Sequence, residues 1–434
     1  MGITRAAAAA MLLTLAEVGG AAQETLKSPT EVSREAEIEA ARATEKELNT
    51  ALEKLRDGLA ELEQTRQAPA VTAIEELKPV RIVNGIATIA FPSVGALLKG
   101  GELVTARSLC TGTLIGCQHF LTANHCLRDG RNPAIYQVYL QNFGIVGVAG
   151  ISAERKDADL AVLRLSRPVV GIPVATVNRS LVVSIDTVGT LVGFGITSGL
   201  AVDPGIKREG AVRTAACDSA DTTSLCWNYD AAVGLPGADS NTCQGDSGGP
   251  LWVREAADSP ALLLAGVTSG GKSGCAAGDH AYDVDVRQFA EWIAQEAAAA
   301  PEEPGCNSSP MVGGDGTQVL GGGRQLSIGE FQDYVFRVPV ATATLVVAMN
   351  GTDNSLTNFG LFVKQGEPAT TAANDCSQNK AGNFAVCRFD RPAAGEWYAR
   401  VDQQGQQRAE FQLVVTTYSQ PVPAPADASA AAPR

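Results

Sequence analysis

Hydrophobic and polar positions follow three different rhythms along the chain. Between Ser28 and Gln67, Ile38, Ala41, Glu45, Leu48, Leu52, Leu55, Leu59 and Leu62 recur at alternating intervals of three and four, a heptad seam with one polar break. The remaining faces are Glu, Lys and Arg, and Ser28-Pro29 followed by Glu31 is a helix-start pattern. This rhythm predicts one long amphipathic helix, suited to coiled-coil self-association or to docking on its own protein. No aromatic side chain precedes Phe91, so the segment is not a compact domain by itself. From Ile82 to about Ala300 the pattern changes to short apolar runs separated by Gly, Asn, Asp and Pro. Thr113 to Ile115, Leu160 to Leu165, Leu181 to Val183 and Leu262 to Val267 are examples, and they predict strands of a sandwich or barrel. Val286 to Ala299, with Phe289, Trp292 and Ile293, reads as a closing helix. After a linker at Pro301 to Pro304, a second all-β unit runs from Ser309 to Ser419. Its runs Phe331-x-x-Tyr334-x-Phe336-x-Val338 and Phe411-x-Leu413-x-Val415 alternate with period two. The Pro/Ala-rich end, Pro421 to Arg434, predicts a disordered tail.

Composition narrows the class. The 434 residues are 45% hydrophobic and 19% charged, enough for two or three domains with real cores. A formal net charge of -13 argues against a nucleic-acid or anionic-membrane partner. No apolar run reaches the ~18–20 residues of a membrane span. Arg5, the run Ala6 to Leu15 (followed by Glu17) and the small residues Gly20-Ala21-Ala22 compose a secretory signal over residues 1–22. The 10 cysteines include no C-x-x-C pair and the chain has 3 His, which favours disulfides over a structural metal. Disulfides place the protein outside the cytoplasm, extracellular or periplasmic. Neither a metal nor a cofactor is expected.

The sharpest chemical signal is Cys243-Gln244-Gly245-Asp246-Ser247-Gly248-Gly249-Pro250. A serine among glycines can expose its hydroxyl at a tight turn where backbone N–H groups converge. Acyl transfer also needs a base near neutral pKa, and His125 in Leu121-Thr122-Ala123-Asn124-His125-Cys126 stands out. Asp159, just before the apolar run Leu160-Ala161-Val162-Leu163, is the candidate for orienting that base. His119 and His280 read as structural.

Together with Arg81-Ile82-Val83-Asn84-Gly85, these strings resemble the trypsin/chymotrypsin-like serine proteases, in that family's order of His, Asp and Ser. The resemblance covers roughly Ile82 to Ala300 and implies a mainly β fold of two six-stranded barrels with the active site between them. It also implies that Ser247 is the nucleophile, His125 the base and Asp159 the group fixing its tautomer. The backbone N–H groups of Gly245 and Ser247 become the oxyanion hole, each donor typically worth ~3–4 kcal/mol. Ser269 matches the serine that hydrogen-bonds the aspartate. Arg81 matches the activation cut that frees an ammonium on Ile82 to pair with Asp246, which implies an activating protease. Asn241 matches the specificity-pocket floor, with Thr242 beside it and Gly271 leaving the mouth open. A neutral amide there predicts no strict Arg/Lys preference, unless Asp279 points into the pocket.

The resemblance also implies the pairs Cys110–Cys126, Cys217–Cys226 and Cys243–Cys275. Cys376 and Cys387 read as a local pair, and Cys117 and Cys306 as a staple from the closing helix to the first barrel; the sequence alone fixes none of them. Ser309 to Ser419 resembles the bacterial pre-peptidase C-terminal domain, a β-sandwich, through Phe331-x-x-Tyr334-x-Phe336 and Gly395-x-Trp397-Tyr398. Asn358-Phe359-Gly360 stands where that family carries acidic residues, which speaks against calcium binding. The expected organisation is a signal peptide (1–22), helical propeptide (23–81), protease domain (82–306), β-sandwich (307–419) and tail (420–434). The expected function is a secreted serine endopeptidase acting on proteins or peptides. The rival is a catalytically silent homologue acting as a binding module.

Overall fold

The computed structural model describes residues 82–422, apart from 101–106, 129, 219–221, 231–236, 273, 299–305, 307–316 and 380–381. The signal peptide, the helical propeptide with its coiled-coil seam, Arg81 and most of the tail lie outside the described residues.

The first barrel contains β2 (Val94–Lys99), β3 (Arg107–Gly116), β4 (His119–Ala123), β5 (Tyr136–Leu140), β6 (Gly144–Arg155) and β7 (Leu160–Leu165). They close in the order β2-β3-β4-β7-β6-β5. Apolar runs such as Leu160-Ala161-Val162-Leu163 are buried throughout, as strands covered on both faces require. The second barrel contains β8 (Val188–Gly193), β9 (Arg208–Ala215), β10 (Ser224–Tyr229), β11 (Pro250–Arg254), β12 (Leu262–Gly270) and β13 (Asp279–Asp285). Its order is β9-β10-β13-β12-β11-β8, closed by the β8–β9 pairing, and the stub β1 (Ile86–Ala87) adds to β9. A short 3₁₀ turn (Val286–Phe289) leads into α1 (Ala290–Ala297), so the closing helix is shorter than its apolar period suggests. Leu181 to Val183 forms no strand; Asn178 captures the Leu181 N–H and carbonyl in a local turn instead.

Two four-stranded sheets follow. One has the order β14 (Thr317–Leu326), β21 (Ala409–Tyr418), β16 (Thr344–Gly351), β19 (Phe384–Asp390). The other has the order β15 (Phe331–Val338), β20 (Gly395–Gln403), β17 (Phe359–Gln365), β18 (Cys376–Gln378). Phe336, Val338, Leu345, Val347, Met349, Phe411, Leu413 and Val415 fill the space between them. Phe331 is not part of this core. Its odd spacing from Tyr334 turns it outward, where the Arg400 guanidinium lies 3.8 Å over its ring.

All eight residues of β16 are buried. Leu345, Val347 and Met349 face the sandwich core, while Val346 and Ala348 belong to the first barrel's core together with Phe384, Tyr418 and Val422. Val422 was expected in the disordered tail, yet it is 2% exposed and its N–H donates to Thr344. A buried polar cluster joins the sandwich to both barrels. Gln141 donates to Asn350 and Gln412 (3.1 and 3.0 Å), Asn350 donates to the Gly205 carbonyl (2.7 Å), and Gln412 donates to the carbonyls of Thr88 and Lys207 (2.9 and 3.0 Å). Two ion pairs at 2.8 Å, Arg107–Asp353 and Arg208–Glu410, flank it.

Candidate active site

The β4–β7 pairing ends at Ala123↔Leu160, which sets the residue after β4 against the residue before β7. Asn124 N–H donates to the Asp159 carbonyl (3.0 Å), and His125 follows in a 3₁₀ turn, Asn124–Leu127. Asp159 is held at φ +54°, a left-handed backbone that an aspartate tolerates better than most residues. Its Oδ1 accepts from the His125 backbone N–H (2.8 Å), and its Oδ2 lies 2.8 Å from His125 Nδ1. Ser269 Oγ donates to the same Oδ2 at 2.6 Å. Burial alone would raise the Asp159 carboxyl, but the bonds from His125 and Ser269 outweigh it and hold the group below its usual value. The carboxylate therefore stays ionised and fixes the imidazole with Nδ1 toward it.

Ser247 sits in a turn braced from both barrels. Gly248, at φ +83°, donates to the Thr268 carbonyl (2.7 Å); a Cβ there would collide with the Thr111 carbonyl and the Thr122 hydroxyl, so glycine is required. The Ser247 carbonyl accepts from Thr111 N–H (2.9 Å) and lies 3.7 Å from Cys126 Sγ, the neighbour of His125. The β11–β12 register, Pro250↔Val267, brings Ser269 alongside the same turn. The backbone of the Ser247 turn thus lies beside the turn that carries His125, whose imidazole meets Asp159, and these are the residue types that nucleophilic acyl transfer needs.

The trypsin family model matches residues 85–293, and the model of the bacterial pre-peptidase C-terminal domain matches residues 330–403. Serine protease 56 of Mus musculus is 28% identical over 229 residues, covering 46% of this chain and 36% of that protein. The chain thus spans well under half the length of this relative. Residues 85–293 are thus a trypsin-like domain, and residues 330–403 a pre-peptidase C-terminal domain.

In the trypsin domain, Asn241 is wholly buried and Thr242 nearly so. Asn241 Oδ1 accepts from Trp227 Nε1 (3.1 Å), and its Nδ2 donates to Asp279 Oδ2 (2.7 Å). The other Asp279 oxygen accepts from Lys272 N–H (2.6 Å), and the carboxylate lies 3.1 Å from where a Gly271 Cβ would stand. The acid left open in the sequence reading is therefore in contact with Asn241 and Gly271. Its register depended on the loop after Cys275, which spacing alone does not fix.

Asp246 is also buried, accepting from Gly195 N–H (2.8 Å) and Cys243 N–H (2.9 Å). Burial pushes its carboxyl up to about 7, with those two N–H groups pulling the other way. Ile82 is buried among Leu191, Val212, Trp227 and Leu251, and Val83 bridges to Asn241. The bonds Cys110–Cys126, Cys117–Cys306, Cys217–Cys226, Cys243–Cys275 and Cys376–Cys387 are all formed. Cys110, His125 and Cys126 cluster, but both thiols are consumed in a disulfide and offer no thiolate to a metal. His119 is buried at the start of β4, and His280 Nδ1 lies 2.6 Å from Asn228 Oδ1.

Proposed function

We propose that the protein is a secreted serine endopeptidase using Ser247 as nucleophile, His125 as base and Asp159 as the orienting carboxylate. The observation that carries this reading is the Ser269–Asp159–His125 hydrogen-bond chain ending beside the braced Ser247 turn. In this mechanism His125 takes the Ser247 proton as Oγ attacks the scissile carbonyl, then delivers it to the leaving amine. The imidazolium formed is stabilised by Asp159, and the oxyanion by the N–H groups of Gly245 and Ser247. Water repeats the sequence to release the acyl group.

The chain is made as a zymogen in this reading. Cutting after Arg81 frees an ammonium on Ile82, and Asp246 is the acid that receives it. Buried without a charged partner, an aspartate is held neutral; a neighbouring ammonium ionises it and forms an ion pair that is favourable only with both members present. The test is fluorophosphonate labelling of the chain cut after Arg81, next to Ser247→Ala. Labelling of the wild type alone is expected, whereas equal labelling of the two would exclude Ser247 as the nucleophile.

A further inference from the structure

We propose that Thr111, on the first barrel, is a positioning residue for the oxyanion hole that the second barrel supplies, acting through its hydroxyl. This rests on the endopeptidase reading above. The two donors, Gly245 N–H and Ser247 N–H, belong to the peptides Gln244–Gly245 and Asp246–Ser247. For both to aim at one point, three consecutive peptide planes must be fixed. The first is held because the Gln244 carbonyl accepts from Ile196 N–H (2.9 Å); in a trans peptide the Gly245 N–H then points the opposite way. The third is held because the Asp246 carbonyl accepts from Gly249 N–H (2.8 Å). The middle plane, Gly245–Asp246, has its N–H on the Cys243 carbonyl (3.0 Å) and its carbonyl on the Thr111 hydroxyl (2.8 Å). Gly245 itself sits at φ +95°, a conformation with little intrinsic preference to hold it.

The Thr111 hydroxyl both donates and accepts. It donates to Gly245 and accepts from Phe194 N–H at 3.0 Å, so it bridges two loops of the second barrel from a strand of the first. Its rotamer is set by packing, with the γ-methyl 3.1 Å from where a Gly249 Cβ would stand. Its own backbone is clamped too, since its N–H donates to the Ser247 carbonyl and its carbonyl accepts from Thr122 Oγ1 (2.8 Å). The residue is wholly buried, so water cannot replace the hydroxyl without a rearrangement. Losing it orphans a buried N–H at Phe194 and releases the carbonyl that orients Gly245.

The test compares wild type, Thr111→Val and Thr111→Ser, each cut after Arg81. The readouts are kcat and KM on one peptide, and affinity for a peptide boronate that mimics the tetrahedral adduct. Thr111→Val keeps the shape and removes the hydroxyl. Its kcat and its boronate affinity are expected to fall together by roughly 10–100-fold, with KM within about twofold, because only transition-state binding is lost. Thr111→Ser is expected to restore most of both. If Thr111→Val does not fold, Thr111→Gly takes its place with the same expectation. Wild-type kcat in the hydroxyl-free variant, or an equal loss in Thr111→Ser, overturns the proposal. A wild type that neither turns over peptide nor labels with fluorophosphonate overturns the endopeptidase reading and this proposal with it.

Discussion

Single side chains in this protein are tuned by what encloses them more than by their type. Asp246 keeps its proton to about pH 7 in the folded chain, whereas an unfolded aspartate releases it near 3.8. Its contribution to stability is therefore whole below about pH 4 and lost as pH rises to about 7, at up to ~1.4 kcal/mol per pH unit. The thermal midpoint of uncut wild type should fall relative to that of Asp246→Asn, whose amide cannot ionise, as pH rises through that window, and parallel curves would refute the assignment. Asp279 makes a second case. The two donors it accepts from, Asn241 Nδ2 and Lys272 N–H, are uncharged, so in the proposed endopeptidase a basic substrate side chain would bring a cation to it. Asp279→Asn is expected to lower kcat/KM for Arg and Lys substrates by at least about tenfold while sparing neutral ones. A uniform fall across all substrates would mean a structural role. Sequence spacing made His125, Asp159 and Ser247 legible because short motifs carry them. It left Asp279 open because a loop of free register separates it from Cys275, and it passed over Thr111 because nothing local marks a threonine whose partners lie on Phe194 and Gly245.

At the level of elements, β16 shows what alternation conceals. Leu345 to Met349 reads LVVAM, an unbroken apolar run, and such runs in an antiparallel sheet mean that both faces are covered. The sequence reading identified the sandwich from the period-two runs around it, but an unbroken run names no partner. Here the partner is the first barrel, with Val386 packed where a Gly144 Cβ would stand and Tyr139 meeting Phe384 at 5.0 Å between ring centroids. Val346→Ala, on the barrel side, should cost about as much stability as Val347→Ala on the sandwich side, roughly 2 kcal/mol each. Chemical denaturation of the full chain measures this, and a free Val346→Ala substitution would show the two bodies to be energetically separate. The bulges of β12 and β6 were equally invisible to pattern, since an inserted residue breaks the period from which a strand is read.

Across the whole molecule, the sandwich is built into the protease domain. Gln141, Asn350 and Gln412 exchange hydrogen bonds out of contact with water, and removing one body would leave the others' amides and the Lys207 and Thr88 carbonyls buried without partners or newly exposed beside Val346 and Phe384. A chain ending before Thr317 is expected to aggregate or unfold at temperatures where the full chain is native, as read by size-exclusion chromatography and calorimetry. A monomeric, equally stable truncation would contradict this.

The Gln412 contact also bears on how a new chain end finds its place. By accepting from Gln412, the Thr88 carbonyl is fixed from outside the barrels, and β1 lies between it and Ile82. In the proposed activation, the ammonium released at Ile82 is thus leashed by a handful of residues to an anchor that cleavage does not disturb. A short leash confines the charge to a small volume around Asp246, an effective concentration of order millimolar or above. Capture then becomes a local, unimolecular event whose rate is independent of protein concentration, and Gln412→Ala should slow the rise of activity after the cut while leaving the cut itself untouched.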